Sequence, residues 1–154
     1  LKESIDVILS EAKGFNKSTW EKYVSEDQLK YVRKKLDDEN IDLNDERYYL
    51  WFMQLSRCMY SGLTIDWEDI KHCEVDHLIP RSLITDNSLE NKVLVLRDEN
   101  QNKGDGKVLG TDTIKKMYPF WKMLLKAHTK LSNEKTSSPF CGTRKAMRKE
   151  SKLT

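Results

Sequence analysis

A mostly helical α+β domain, built around a small strand–loop–strand–helix (ββα) unit, is the fold class predicted by the sequence. Three observations point to it. Apolar residues recur at helical spacing on both sides of the chain's middle. Between them, two short apolar runs, Cys73–Ile79 and Val93–Leu96, are separated by the loop-forming Asp86-Asn87-Ser88. A polar segment holding Asn100 and Lys103 follows at once and can close as a short helix before Gly104. The 154 residues suffice for one domain, 1–154. It divides into N-terminal helices (1–44), a helix plus the ββα core (45–110), a long helix (111–131) and a basic loop or linker (132–154).

Taken in order, Ile5, Ile8, Leu9 and Ala12 predict an amphipathic helix over 2–13, with Gly14 as its stop. Ser18 can cap a second helical stretch with Glu21 completing a capping box, and Leu29, Val32 and Leu36 continue the pattern. Asn44 or Asp45 caps a third helix that is expected to run through Arg57. Its Tyr48, Leu50, Trp51, Phe52, Met53 and Leu55 read as core. Cys58–Tyr60 and Leu63–Ile65 flank Ser61-Gly62, a hairpin or knuckle in which glycine supplies the positive φ. Asp66–Ile70 suggests one helical turn. Cys73–Ile79 is the first strand, stopped by Pro80, and Val93–Leu96 the second. Asp98 can cap the short helix that follows. Thr111 or Asp112 then starts a long helix in which Pro119 is a candidate kink.

Charge is unevenly distributed. Residues 1–91 carry 12 Lys/Arg against 19 Asp/Glu, net −7, and residues 92–154 carry 15 against 6, net +9. The basic half starts just after the Asp76-His77 segment and would attract a polyanion through phosphate contacts, although solvated helix faces explain lysines equally well. Only 38% of residues are hydrophobic and 34% are charged, so the core should be modest. No apolar run approaches the roughly 20 residues of a membrane span. Three cysteines at irregular spacing offer no disulfide framework, which fits a reducing cytoplasm.

The chemistry concentrates in Glu74-Val75-Asp76-His77-Leu78-Ile79-Pro80, followed by Asn91 and Asn100. Phosphodiester hydrolysis needs a base for water and charge stabilisation at the phosphate and the leaving oxygen. Neutral histidine is a suitable base near pH 7. Magnesium prefers oxygen ligands and keeps several waters, so the Asp76 carboxylate and the Asn100 amide oxygen suffice as protein ligands. In an extended strand Asp76 and His77 face opposite sides, so both can border one cleft only where the strand ends. The helix after the second strand should bring Asn100 against the Asp76 side. Asn91, where the loop rejoins the second strand, can fix that loop through backbone bonds.

These residues resemble a known family. The blocks Cys58–Gly62, Glu74–Ser82, Asp86–Leu94 and Asn100–Gly104 are similar to the HNH, or ββα-metal, nuclease signature. They are closer still to the HNH domain of the RNA-guided CRISPR type II effectors, the Cas nine family, over about residues 45–125. The resemblance implies His77 as general base, Asp76 and Asn100 as Mg²⁺ ligands with Asp98 as a secondary one, and Asn91 as loop organiser. Manganese can substitute for magnesium. It also implies Lys103 near the scissile phosphate. Lys92 and Arg81 could be solvated, but their adjacency to the motif makes them, with Lys103, candidate nucleic-acid contacts. The substrate would be the target DNA strand of a guide RNA–DNA heteroduplex, with base pairing selecting the sequence. The partners would be the remaining domains of a larger effector in the bacterial cytoplasm. The excised domain is expected to be a monomer without membrane contact.

Other readings are weaker. An Asp-His pair alone would be structural; its spacing to Pro80, Asn91 and Asn100 makes it specific. His72 reads as a surface loop residue and His128 as a packing or surface residue. Four-thiolate zinc, common in HNH proteins, is excluded by cysteine count, and no structural zinc is expected. The alternative function is a free-standing HNH endonuclease of phage or homing type. The flanking helices, with no separate DNA-reading module beside them, count against it. A catalytically silent binding module conflicts with the intact motif.

Overall fold

The computed structural model describes residues 2–13, 25–38, 40–77, 92–103 and 109–133. Among them the order is α1 (Lys2–Lys13), α2 (Glu26–Leu36), α3 (Glu46–Met53), a 3-10 turn (Trp67–His72), β1 (Glu74–His77), β2 (Lys92–Val95), α4 (Arg97–Lys103) and α5 (Thr111–Asn133). The two strands pair antiparallel, with Glu74 opposite Val95 and His77 opposite Lys92. The mostly helical α+β class with a ββα centre is therefore observed. Among the described residues no helix is long and apolar enough to cross a membrane.

One core joins the elements. The predicted stripe Ile5, Ile8 and Leu9 of α1 is buried, and α1 packs on α5. Leu29, Val32 and Leu36 bury the inner face of α2, and an Arg33–Asp6 ion pair ties α2 to α1. Ser25 caps α2 by accepting the Gln28 N–H at 3.2 Å. The cap expected at Ser18, with Glu21, lies outside the described residues. The aromatic run of α3 is core, as its composition predicts. Trp51 stands edge-on to Tyr31, Phe52 and Trp67, and its indole N–H reaches the Ile65 carbonyl at 2.8 Å.

Asp45 caps α3, accepting the Arg47 N–H at 3.0 Å. Hydrogen bonding to the Arg47 side chain holds its carboxyl below the usual range. The stabilisation from this lowered pKa is complete above about pH 4, the unfolded value. It is lost as pH falls through the folded value. Asp45→Ala should cost about 1 kcal/mol in urea unfolding at neutral pH, and Asp45→Asn less, because asparagine keeps the cap and loses only the charge facing Arg47.

Helix α3 stops at Met53 and does not reach Arg57. Leu55 and Ser56 adopt positive φ, 53° and 68°, and the Ser56 N–H closes back on the Trp51 carbonyl at 2.9 Å. Gln54, fully buried, turns inward to β2. Its amide oxygen accepts the Leu94 N–H at 2.7 Å, and its NH₂ donates to the Leu94 and Arg57 carbonyls, each at 2.9 Å. One side chain thus pairs with both backbone groups of Leu94, as a third strand would. The pull toward these buried groups outweighs the helical pattern of the sequence.

The predicted knuckle follows. Cys58 N–H bonds the Leu63 carbonyl and Gly62 N–H the Cys58 carbonyl, both at 2.9 Å, with Gly62 at φ 75°. The Trp121 indole N–H of α5 holds the Met59 carbonyl at 3.0 Å. The expected turn after Asp66 is the 3-10 turn. Helix α4 begins at Arg97, so Asp98 lies inside its first turn and is not its cap; Asn100 N–H bonds the Leu96 carbonyl at 3.1 Å. Helix α5 starts at Thr111 as expected, passes through Pro119 and extends to Asn133, two residues past its predicted end. Most of the predicted 132–154 segment lies outside the described residues.

Candidate active site

Strand alternation places Glu74 and Asp76 on one face of β1. Helix α4 lies over β1, and its residues Asn100 and Lys103, three apart, share a helix face. The two pairs meet. The Asn100 amide NH₂ donates to Glu74 Oε2 at 2.5 Å, and the Lys103 ammonium donates to Asp76 Oδ2 at 2.6 Å. Lys103 also donates to the His77 carbonyl at 2.8 Å. Its side chain is only 5% exposed, so its charge sits where the solvent cannot screen it well.

Tyr60, from the knuckle, donates its phenol to the same Asp76 Oδ2 at 2.6 Å. The Lys103 ammonium stands 5.6 Å from the Tyr60 ring centre. Burial, reinforced by the adjacent Asp76 charge, raises the phenol well above its ordinary pKa, so Tyr60 remains a donor. One carboxylate oxygen is thus held by a neutral donor from a braced turn and a cation from a helix end.

The expected site residues are distributed as follows. Asp76 lies under α4, and Asn100 lies on that same face but bonds Glu74. His77 is the last residue of β1, half-buried, and alternation sends its side chain to the opposite face. Asp98 lines an open cleft with Asp69, His72, Glu74 and Arg97. Lys92 pairs with Glu46 at 2.9 Å, tying β2 to α3. Asn91 and Arg81 lie outside the described residues. Sequence reasoning assigned no role to Glu74 or Tyr60. The period-2 relation to Asp76 could have found Glu74. Tyr60 carries no local signal, since only the fold brings it to Asp76.

The donors fit a hard divalent cation. Asp76 offers a carboxylate, and Asn100, with its NH₂ on Glu74, turns its amide oxygen away from that acid. The ammonium already resting on Asp76 shows that this face accepts positive charge. Among the described residues no group of three or more His, Cys, Asp or Glu side chains gathers as a metal cage.

Residues 58–108 match the HNH endonuclease family. The chain is 38% identical over 96 residues to a CRISPR-associated endonuclease Cas9 of Streptococcus mutans serotype c, covering 62% of this chain and 7% of that protein. It is 34% identical over 93 residues to the Cas9 of Listeria innocua serovar 6a, covering 60% and 7%. Against the Cas9 of Staphylococcus aureus it is 47% identical over 64 residues, covering 39% and 6%. The chain therefore spans less than a tenth of these relatives' length. The family match contains the knuckle, both strands and α4, the elements that assemble the Asp76 face. Residues 58–108 are an HNH endonuclease domain, homologous to the HNH region of the Cas9 endonucleases.

Proposed function

We propose that this nuclease domain hydrolyses a DNA phosphodiester with one Mg²⁺ held by Asp76 and Asn100, and that His77 takes the proton of the attacking water. The observation that carries the reading is the α4-over-β1 face. It brings a carboxylate, an amide and a lysine together beside a histidine that ends the same strand. When bound, the cation neutralises charge on the phosphate and the leaving oxygen. His77, on the other face of the strand end, acts on water from the opposite side of the phosphate. Asn91 organises the loop between the strands, and Asp98 is a secondary ligand. Lys103, Lys92 and Arg81 supply phosphate contacts, Lys103 by exchanging Asp76 and Lys92 by exchanging Glu46 for the phosphate, and the strength of these contacts should fall with salt.

The substrate is the guide-paired DNA strand of an RNA–DNA heteroduplex, the substrate that the resemblance to the RNA-guided CRISPR type II effectors implies. The partners are the other domains of that effector, in the bacterial cytoplasm. Manganese can replace magnesium, and the excised domain is a monomer. The test joins two measurements. Asn100→Ala in the intact effector should raise the Mg²⁺ concentration needed for target-strand nicking by about 10-fold or more, the loss expected for a metal-site residue. Guide-free duplex should remain uncut by the domain alone. Efficient guide-free nicking would instead support a free-standing endonuclease.

A further inference from the structure

We infer that Tyr60 is a positioning residue for the Asp76 carboxylate, its phenol fixing one oxygen so that the other is aimed at the cation. The inference rests on the reading of Asp76 as a cation ligand. A carboxylate on a strand can rotate about its side-chain bonds, and an unrestrained ligand loses entropy when a cation binds. The Tyr60 hydroxyl meets Asp76 Oδ2 at 2.6 Å, the short distance of a charge-assisted bond.

What distinguishes Tyr60 from Lys103, the other partner of that oxygen, is its mounting. Lys103 reaches Asp76 on a flexible four-carbon stem from the last residue of α4. Tyr60 sits in a turn braced from three directions. Cys58 and Leu63 close the turn at 2.9 Å, the Arg57 guanidinium grips the Gly62 carbonyl at 2.6 Å, and Trp121 holds the Met59 carbonyl. The ring itself is buried, with 3% of its surface exposed. A rigid donor on a rigid turn sets the carboxylate's direction before any cation arrives. Partners that hold ligating groups in this way typically contribute about 10–100-fold to metal affinity.

The test is Mg²⁺ titration of the whole chain, followed by the NMR signal of the Asp76 side-chain carboxyl carbon, with Tyr60→Phe beside the parent. The phenylalanine variant keeps the ring and its packing. Its Asp76 signal should already differ before metal is added, and its Mg²⁺ midpoint should rise by about 10-fold or more. Equal midpoints would overturn the role of Tyr60 and leave Asp76 as a ligand. An Asp76 signal that ignores Mg²⁺ in the parent would overturn the cation reading itself, and this inference with it. Should the phenylalanine variant not fold, 3-fluorotyrosine at position 60 keeps the hydroxyl and makes it a stronger donor. A changed Asp76 signal and midpoint then support the inference, and unchanged values overturn it.

Discussion

Replacing His77 with alanine is expected to slow target-strand cleavage about 10²–10⁴-fold, the contribution of a positioned general base. Binding of DNA and of the divalent cation should persist. The expectation follows from where the fold holds this residue. Its backbone is fixed twice without help from the imidazole, through the register with Lys92 and through the Lys103 ammonium on its carbonyl at 2.8 Å. The adjacent Asp76 is held by Tyr60 and Lys103. Removing the ring should therefore remove the chemistry and leave the cation site standing. Single-turnover nicking in the intact effector, with Mg²⁺ titration alongside, measures both. Nicking at the parent rate would sink the assignment of His77 as base.

Gln54→Leu should be the most damaging conservative change in the fold, costing about 3 kcal/mol in urea unfolding. Leucine matches the volume but abandons the Leu94 N–H and the Leu94 and Arg57 carbonyls, all previously bonded within 2.9 Å. Each buried backbone group left unsatisfied costs about 1–3 kcal/mol, and the Met59 N–H, 3.4 Å from the Leu94 carbonyl, recovers part of it. Because β2 is the sole partner of β1 among the described residues, the leucine variant should also weaken cation binding at Asp76. Unchanged stability in Gln54→Leu would mean that strand pairing and core burial hold β2 by themselves.

Much of the domain is legible in the amino-acid sequence, for a local reason. The stripes of α1 and α2 and the run Val93–Leu96 carry their own periodicity, and Gly62 marks its turn by the φ it needs. The HNH signature is compact, and its residues sit at spacings set by one strand, one loop and one helix. That compactness is why Asp76, His77 and Asn100 can be nominated by number. Sequence expectation and fold part where distant groups compete with local pattern. Helix α3 looks continuous to Arg57 in sequence but ends at Met53, because Gln54 is drawn to a backbone 40 residues away. Asp98 looks like a cap, yet α4 starts one residue earlier.

The sequence alone determined the ββα unit and the nuclease family it resembles, and it nominated Asp76, His77 and Asn100. Short-range periodicity and motif spacing are properties of neighbouring residues, so they survive without a fold. Only the tertiary structure decided that Asn100 meets Glu74, and that Lys103 and Tyr60 share one oxygen of Asp76. Those contacts join residues 16 to 27 positions apart. No periodic signal spans such a distance; packing the knuckle and α4 against β1 creates them.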